Sequence, residues 1–476
     1  MQKTILSFLQ TSSIIKIEAK IKVRKVYMQK LSKKYGLFTA ICMVVGIVIG
    51  SGIFFKAPSV LANAGNALNS IFAWAISGMI MVIIATSFGV LATKYEKVNG
   101  VVDYAEATCG KRYAFFVGWF LSLIYYPAMT SVLAWVSARY TLVAIVGNDS
   151  KIFSYECITL ALFYLVLAYF INNIAPKVAG KFQISSTVAK LVPIVFIAVV
   201  GTAIGLANGT LTSNFTVEYS TEIDNPGLFP AICSTIFAYE GWIVATAINS
   251  EIKDSKKNLP IALCVGTLII VAAYTLYNIG VLGLAEINAL HGGTQIAFNF
   301  FGPVIASIIN ILVVVSCLGT LNGLMLGCCR GIYSLSVRGE GFSPEVFSQI
   351  DKKTEMPHNS ASFALLICSF WFVYFIFSTT GIFGGYGFDS SELPIITIYP
   401  MYIPILIIMM IREKDVRPFK RFVLPMLSII GVGIIVYASI RSHGIKNLYY
   451  LVVFALIMLA GCFVLRLNEK KASKSK

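Results

Sequence analysis

The chain has 476 residues, of which 57% are hydrophobic and 13% charged, where an ordinary soluble domain carries roughly 25% charged residues. A mean hydropathy of +0.79 excludes a disordered or nucleic-acid-coating chain, even with a net charge of +16. What remains is a polytopic membrane protein.

Residues 1–36 carry nine Lys or Arg and no apolar stretch long enough for a secretory signal, so they read as a basic cytoplasmic segment. Residues 1–27 either lie on an anionic membrane surface or precede a natural start at Met28. A transmembrane helix needs about 20 apolar residues. Twelve such runs follow: 37–62, 68–91, 113–146, 153–172, 183–207, 229–250, 260–284, 302–334, 361–380, 391–411, 421–440 and 447–466. With the N-terminus inside, 32 of the 38 basic residues fall on the cytoplasmic side. Lys56, Lys151, Arg441 and Lys446 fall outside, and Arg139 and Lys190 lie within spans. The expectation is an all-α protein of the cell membrane with twelve transmembrane helices and both termini cytoplasmic. Topology alone explains the charge, so nucleic acid is not expected as a partner, whereas membrane lipid is.

Span one carries Gly46-Ile-Val-Ile-Gly50-Ser51-Gly52-Ile53-Phe54, a concentration of glycine that favours either an unwound stretch or close helix packing. The segment 92–112 has Asp103, Tyr104 and Glu106, read as a mostly solvated face, and Arg139 reads as a snorkelling side chain. Lys190, in span five, is a lone ammonium in mid-span, costly to desolvate. The segment 207–228 carries Glu218, Glu222 and Asp224 without a basic residue, as an outer surface would, and Asn148, Asn208 and Asn214 begin N-x-Ser/Thr sequons on that side. Span six is interrupted at Phe237-Ala-Tyr-Glu240-Gly241-Trp242, placing a carboxylate at mid-membrane depth. Ten cysteines, most inside apolar runs and none in a C-x-x-C pair, read as small buried hydrophobes, and no metal site or cofactor is expected.

Spans one and six hold equivalent places in two sets of five. Paired broken helices point to a midplane site in an inverted 5+5 repeat (LeuT-like) with discontinuous helices 1 and 6. Half-helix N-termini offer N–H groups to a carboxylate, and opposed carbonyls accept from an ammonium. A zwitterionic amino acid satisfies both.

These motifs, with Glu251-Ile-Lys-Asp-Ser-Lys-Lys-Asn-Leu-Pro260 and Gly319-Thr-Leu-Asn322-Gly323 followed by Arg330, resemble the amino acid, polyamine and organocation transporter superfamily. Within it they resemble the L-type branch, which includes bacterial serine/threonine exchangers. The resemblance implies that the backbone at Val48, Ser51 and Gly52 holds the substrate carboxylate and part of its amino group. It also implies that Phe237, Ala238 and Glu240 offer carbonyls to the ammonium, with the Phe237 ring as a gate. Gly241 leaves room for the side chain and Asn322 lines its pocket. Leu324 stands where similar chains have an aromatic gate, which weakens a large cationic substrate. Lys190 occupies the place of a sodium ion in sodium-coupled relatives, either cycling a proton or staying charged as a strut. Cys157 lies near the loop that animal relatives bridge to a single-span partner. Its position at the start of span four argues against that bridge, so no obligatory protein partner is expected.

The expected organisation is a transporter core over 37–411, helices 11 and 12 over 412–466, and a cytoplasmic tail over 467–476. The expected function is sodium-independent transport of small neutral L-amino acids by alternating access, as an exchanger. The rivals are a proton-coupled symporter and a transporter-like sensor. An enzyme is not expected, for want of a nucleophile and base pair or a carboxylate dyad.

Overall fold

The computed structural model describes residues 36–95, 100–147, 152–245, 252–292 and 294–474. The readings made for residues 1–35, Asn148, Lys151 and Glu251 lie outside the described residues. Among the described residues the chain is helical, with no β-strand, and an antiparallel bridge joins Asn66 to Glu218.

Each of the twelve runs corresponds to a helix or a helix pair. Ten are long and apolar: span two (Ala67–Lys94), three (Lys111–Val146), four (Tyr155–Ile174), five (Pro176–Ala207), seven (Ser255–Leu284), eight (Gly302–Ser336), nine (His358–Thr379), ten (Leu393–Arg412), eleven (Phe419–His443) and twelve (Lys446–Lys470). Span one is the pair Leu37–Val48 and Gly52–Ala64, bent by 53°. Span six is Leu228–Tyr239 followed, after Glu240 and Gly241, by Trp242–Ala245.

Local chemistry sets several of these ends. Gly65 closes span one at φ +72°, and the Asn66 side chain caps span two by accepting from the Asn69 N–H at 2.8 Å. Ser154 caps span four on the Cys157 N–H at 3.3 Å. Pro176 opens span five, where a missing N–H leaves no bond unmade.

Packing follows the two repeats. Span one packs on six, two on seven and three on eight, the pairing expected when a pseudo-two-fold axis exchanges spans one to five with six to ten. Spans five and seven meet backbone to backbone. A Cβ on Gly280 would lie 2.1 Å from the Ile197 carbonyl oxygen, and Gly205 and Gly283 repeat the contact one turn on. Lipid supplies no hydrophobic drive between helices, so such close approach gains dispersion contact that larger side chains would prevent.

The connecting segments gather at two ends. At one, the Tyr219 N–H donates to Gly65 O and the Gly227 N–H to Asn63 O. Asn214 donates to Leu282 O (2.7 Å) and Ala285 O (2.9 Å) and accepts from the Ile287 N–H (2.9 Å). Its sequon is therefore spent on structure, since Asn214 is only 2% exposed. At the other end Arg338, beyond span eight, reaches Asp103 at 2.5 Å and Glu106 at 3.0 Å on the short helix Val101–Cys109. That overturns the reading of a solvated face, because Asp103 is buried and neutralised by a partner some 230 positions away in sequence. Lys94 likewise pairs with Glu413 and Asp415 between spans ten and eleven.

Gly280→Leu is expected to lower the thermal midpoint of the detergent-purified protein by overpacking worth about 1–3 kcal/mol or more. Gly433→Leu, at a position with open space around it, is expected to leave the midpoint unchanged in the same assay.

Candidate functional site at the broken spans

The first half of span one ends at Val48, and Ile49 turns to an extended conformation with ψ 112°. The last carbonyls of that half-helix have no amide ahead of them in their own helix. Two side chains meet them. Lys190 Nζ, fully buried, donates to Gly46 O at 3.4 Å, and the Tyr274 hydroxyl of span seven donates to Val48 O at 3.3 Å. A cation at a helix C-terminus also interacts favourably with the helix dipole. The fit is tight: a Cβ on Gly46 would come 2.3 Å from Thr187 Cγ2, one turn before Lys190.

The second half of span one starts at Gly52, and Ser51 caps it with no side-chain bond. The N–H groups of its first turn, Gly52 to Phe54, therefore have no carbonyl behind them in the helix. Ser51 Oγ is buried and lies beside the Cys317 thiol of span eight.

Span six breaks at the same level with the opposite polarity. Tyr239 ends its first half, Glu240 is extended (ψ 156°) and Gly241 takes φ +114°, a conformation that favours glycine. The carbonyls of Ile236 to Tyr239 lack amides ahead of them. The two breaks touch: a Cβ on Gly52 would lie 2.5 Å from Ala238 Cα, and one on Gly241 would lie 3.4 Å from Ile47 O. Gly241 thus makes the turn, and a Cβ there would stand at ordinary contact distance from span one.

Val48, Ser51, Gly52, Phe237, Ala238, Glu240 and Gly241 are thus brought together, with Lys190 just behind them. Asn322 is not part of the group. Its side chain accepts from Asn172 Nδ2 at 2.9 Å and donates to Ala179 O at 3.2 Å, joining span eight to spans four and five. Span eight instead faces the break through Thr320, whose Oγ1 would sit 2.5 Å from a Cβ on Gly50.

The Glu240 carboxylate turns to the scaffold. Tyr125 of span three donates to one oxygen at 2.7 Å and Tyr399 of span ten to the other at 3.0 Å. Sequence reasoning missed both phenols, since two of 23 tyrosines carry no distinguishing mark.

It also missed what Lys56, counted only as a charge on the outer side, is paired with. Lys56 is 3% exposed, inside the second half of span one. It donates to Glu392 Oε1 at 2.6 Å and Ser391 Oγ at 2.9 Å, and lies over the Phe55 and Phe237 rings at 5.2 and 5.5 Å. Glu392 Oε2 in turn meets His443 Nε2 at 2.9 Å. Breaking one partner of such a buried pair costs about 3–5 kcal/mol, because the other is left buried and uncompensated. Phe237 also packs edge-on against Phe55, with ring centroids 5.7 Å apart.

The family model described as "Amino acid permease" matches residues 35–437. The chain is 28% identical over 396 residues to the serine/threonine exchanger SteT of Bacillus subtilis, covering 82% of this chain and 86% of that protein. It is 27% identical over 433 residues to the mouse b(0,+)-type amino acid transporter 1, covering 90% and 86%. To the human cystine/glutamate transporter it is 27% identical over 333 residues, covering 69% and 65%.

Tyr125→Phe and Tyr399→Phe are each expected to lower the thermal midpoint in detergent. Combined in double-mutant cycles with Glu240→Gln, each should show coupling of about 0.5–3 kcal/mol. Additive effects would show that the phenol contacts carry no stability.

Proposed function

Because the chain belongs to the amino acid permease family, we propose that it exchanges small neutral L-amino acids such as serine and threonine across the membrane, independently of sodium, by alternating access. The observation that carries this reading is the meeting of two half-helix ends of opposite polarity, with Gly52 against Ala238. The first-turn N–H groups at Gly52 offer a carboxylate site, with Val48 and Ser51 at its edge, and the carbonyls of Phe237, Ala238 and Glu240 offer an ammonium site. A free amino acid carries both charges, and recognition through main-chain atoms leaves the side chain to the surrounding walls. Gly241, Thr320 and the Phe237 ring lie nearest, which favours a small substrate. In this reading the termini are cytoplasmic, Lys56 lies at the outer end, and Phe237 is the outer gate.

Lys190 supports the sodium-independent part. Its ammonium meets the carbonyl end of the first half-helix, supplying by a fixed side chain the positive charge that a bound cation would otherwise bring. Held there at 3.4 Å from Gly46 O, it acts as a strut that keeps span one broken. Burial of Cys157 in the first turn of span four supports a chain that works without a disulfide-linked partner.

Proteoliposomes test the reading. Uptake of radiolabelled L-serine should require an unlabelled neutral amino acid inside and be competed by L-threonine. It should be unchanged when choline replaces sodium. Uptake into empty vesicles driven by an imposed pH gradient would replace exchange with proton-coupled symport, and binding without flux would make the chain a sensor. Lys190→Ala, at normal expression, is expected to lose most of the uptake, and unimpaired uptake would refute its role as strut.

A further inference from the structure

Cys233, Glu392 and His443 are far apart in sequence, on span six, immediately before span ten and at the end of span eleven. In the fold their ligand atoms lie within 4.8 Å of one another. Glu392 Oε2 is the hub, 2.9 Å from His443 Nε2 and 3.4 Å from Cys233 Sγ. Cys233 and Glu392 are buried, and the His443 side chain is 11% exposed. A cavity of about 220 Å³ adjoins the trio on the His443 side, where Asp389, Ser390 and Lys446 also line it.

We propose that this trio is a transition-metal site suited to Zn2+, on the same side of the membrane as Lys56. A thiolate, an imidazole and a carboxylate oxygen are the donor set of a borderline-soft ion that prefers tetrahedral coordination. Around tetrahedral zinc the ligand atoms stand roughly 3.5 Å apart, so closing on an ion widens the Glu392–His443 contact from 2.9 Å by about half an ångström and brings Cys233 Sγ and His443 Nε2, which lie within 4.8 Å of each other, together by up to about 1.3 Å. Three protein ligands leave a fourth position, and the cavity supplies it with water and a route of entry. On binding, the Cys233 thiol releases its proton to water and neutral His443 offers Nε2.

Lys56 has a defined part. It holds Glu392 through the other carboxylate oxygen, orienting the ligand, while its charge opposes an incoming cation. The site therefore binds more weakly than the same trio would without the ammonium. A bound ion would tether span six to the elements at spans ten and eleven. Span six carries half of the broken-helix crossing, so the tether restrains it.

Co2+ titration of the detergent-purified full chain is the test. The expected result is a tetrahedral visible spectrum with a sulfur-to-cobalt charge-transfer band, displaced by Zn2+. Cys233→Ala should remove the charge-transfer band, and it and His443→Asn should each weaken binding at least about tenfold. Lys56→Gln should tighten it. Gel filtration of each variant identifies those that fold, and either ligand variant suffices. A wild-type spectrum without the thiolate band, or unchanged affinity in a folded ligand variant, overturns the proposal. Zn2+ inhibition of exchange by the wild type and not by Cys233→Ala would extend it to transport, whereas the Co2+ spectrum stands apart from the transport reading.

Discussion

A membrane interior offers no water to an unpaired backbone group, and the organisation of this protein follows from that constraint. Two helices are broken at the same depth, leaving N–H groups at Gly52 to Phe54 and carbonyls at Ile236 to Tyr239 without partners in their own helices. Such breaks persist only where other parts of the protein surround them. The surround is specific: Lys190 on Gly46 O, Tyr274 on Val48 O, and the two breaks lying against one another at Gly52 and Ala238. The remaining spans act as the walls that keep lipid away from this crossing.

Polar side chains inside the bundle divide by how they are satisfied. Glu240 is held by two phenols, so its charge is tied to spans three and ten. Lys56 and Glu392 neutralise one another across spans one and ten, with His443 completing the chain. Each arrangement links the first span of one repeat to a span of the other. Their cost in desolvation is offset by hydrogen bonds to both carboxylate oxygens, the condition under which buried charge is tolerated.

Hydropathy and glycine made the spans and the two breaks legible from sequence, because both are local signals: twenty apolar residues in a row, or three glycines within seven positions. The pairing of distant polar residues was not legible. Lys56 and Glu392 are 336 positions apart, and a lysine just beyond a glycine-rich stretch looks the same whether it faces water or an acid. Asp103 looked solvated because it lies with Glu106 in a segment between two spans, yet Arg338 encloses it. Asn322 was read from motif likeness as lining the side-chain pocket, but two residues past Thr320 the helix has rotated by about 200°, and its amide oxygen meets Asn172 instead. A side chain's neighbours along the chain say which residues it resembles, and only the fold says which it touches.

The glycine contact between spans five and seven has a mechanical side. Most helix pairs interlock through side chains, and sliding one past the other means lifting each knob out of its hole. Where Gly201 and Gly205 face Gly280 and Gly283, no knobs exist on either surface. The two helices adhere like polished plates, hard to pull apart but with little to set their register along the axis. It is a bearing surface within an otherwise geared bundle.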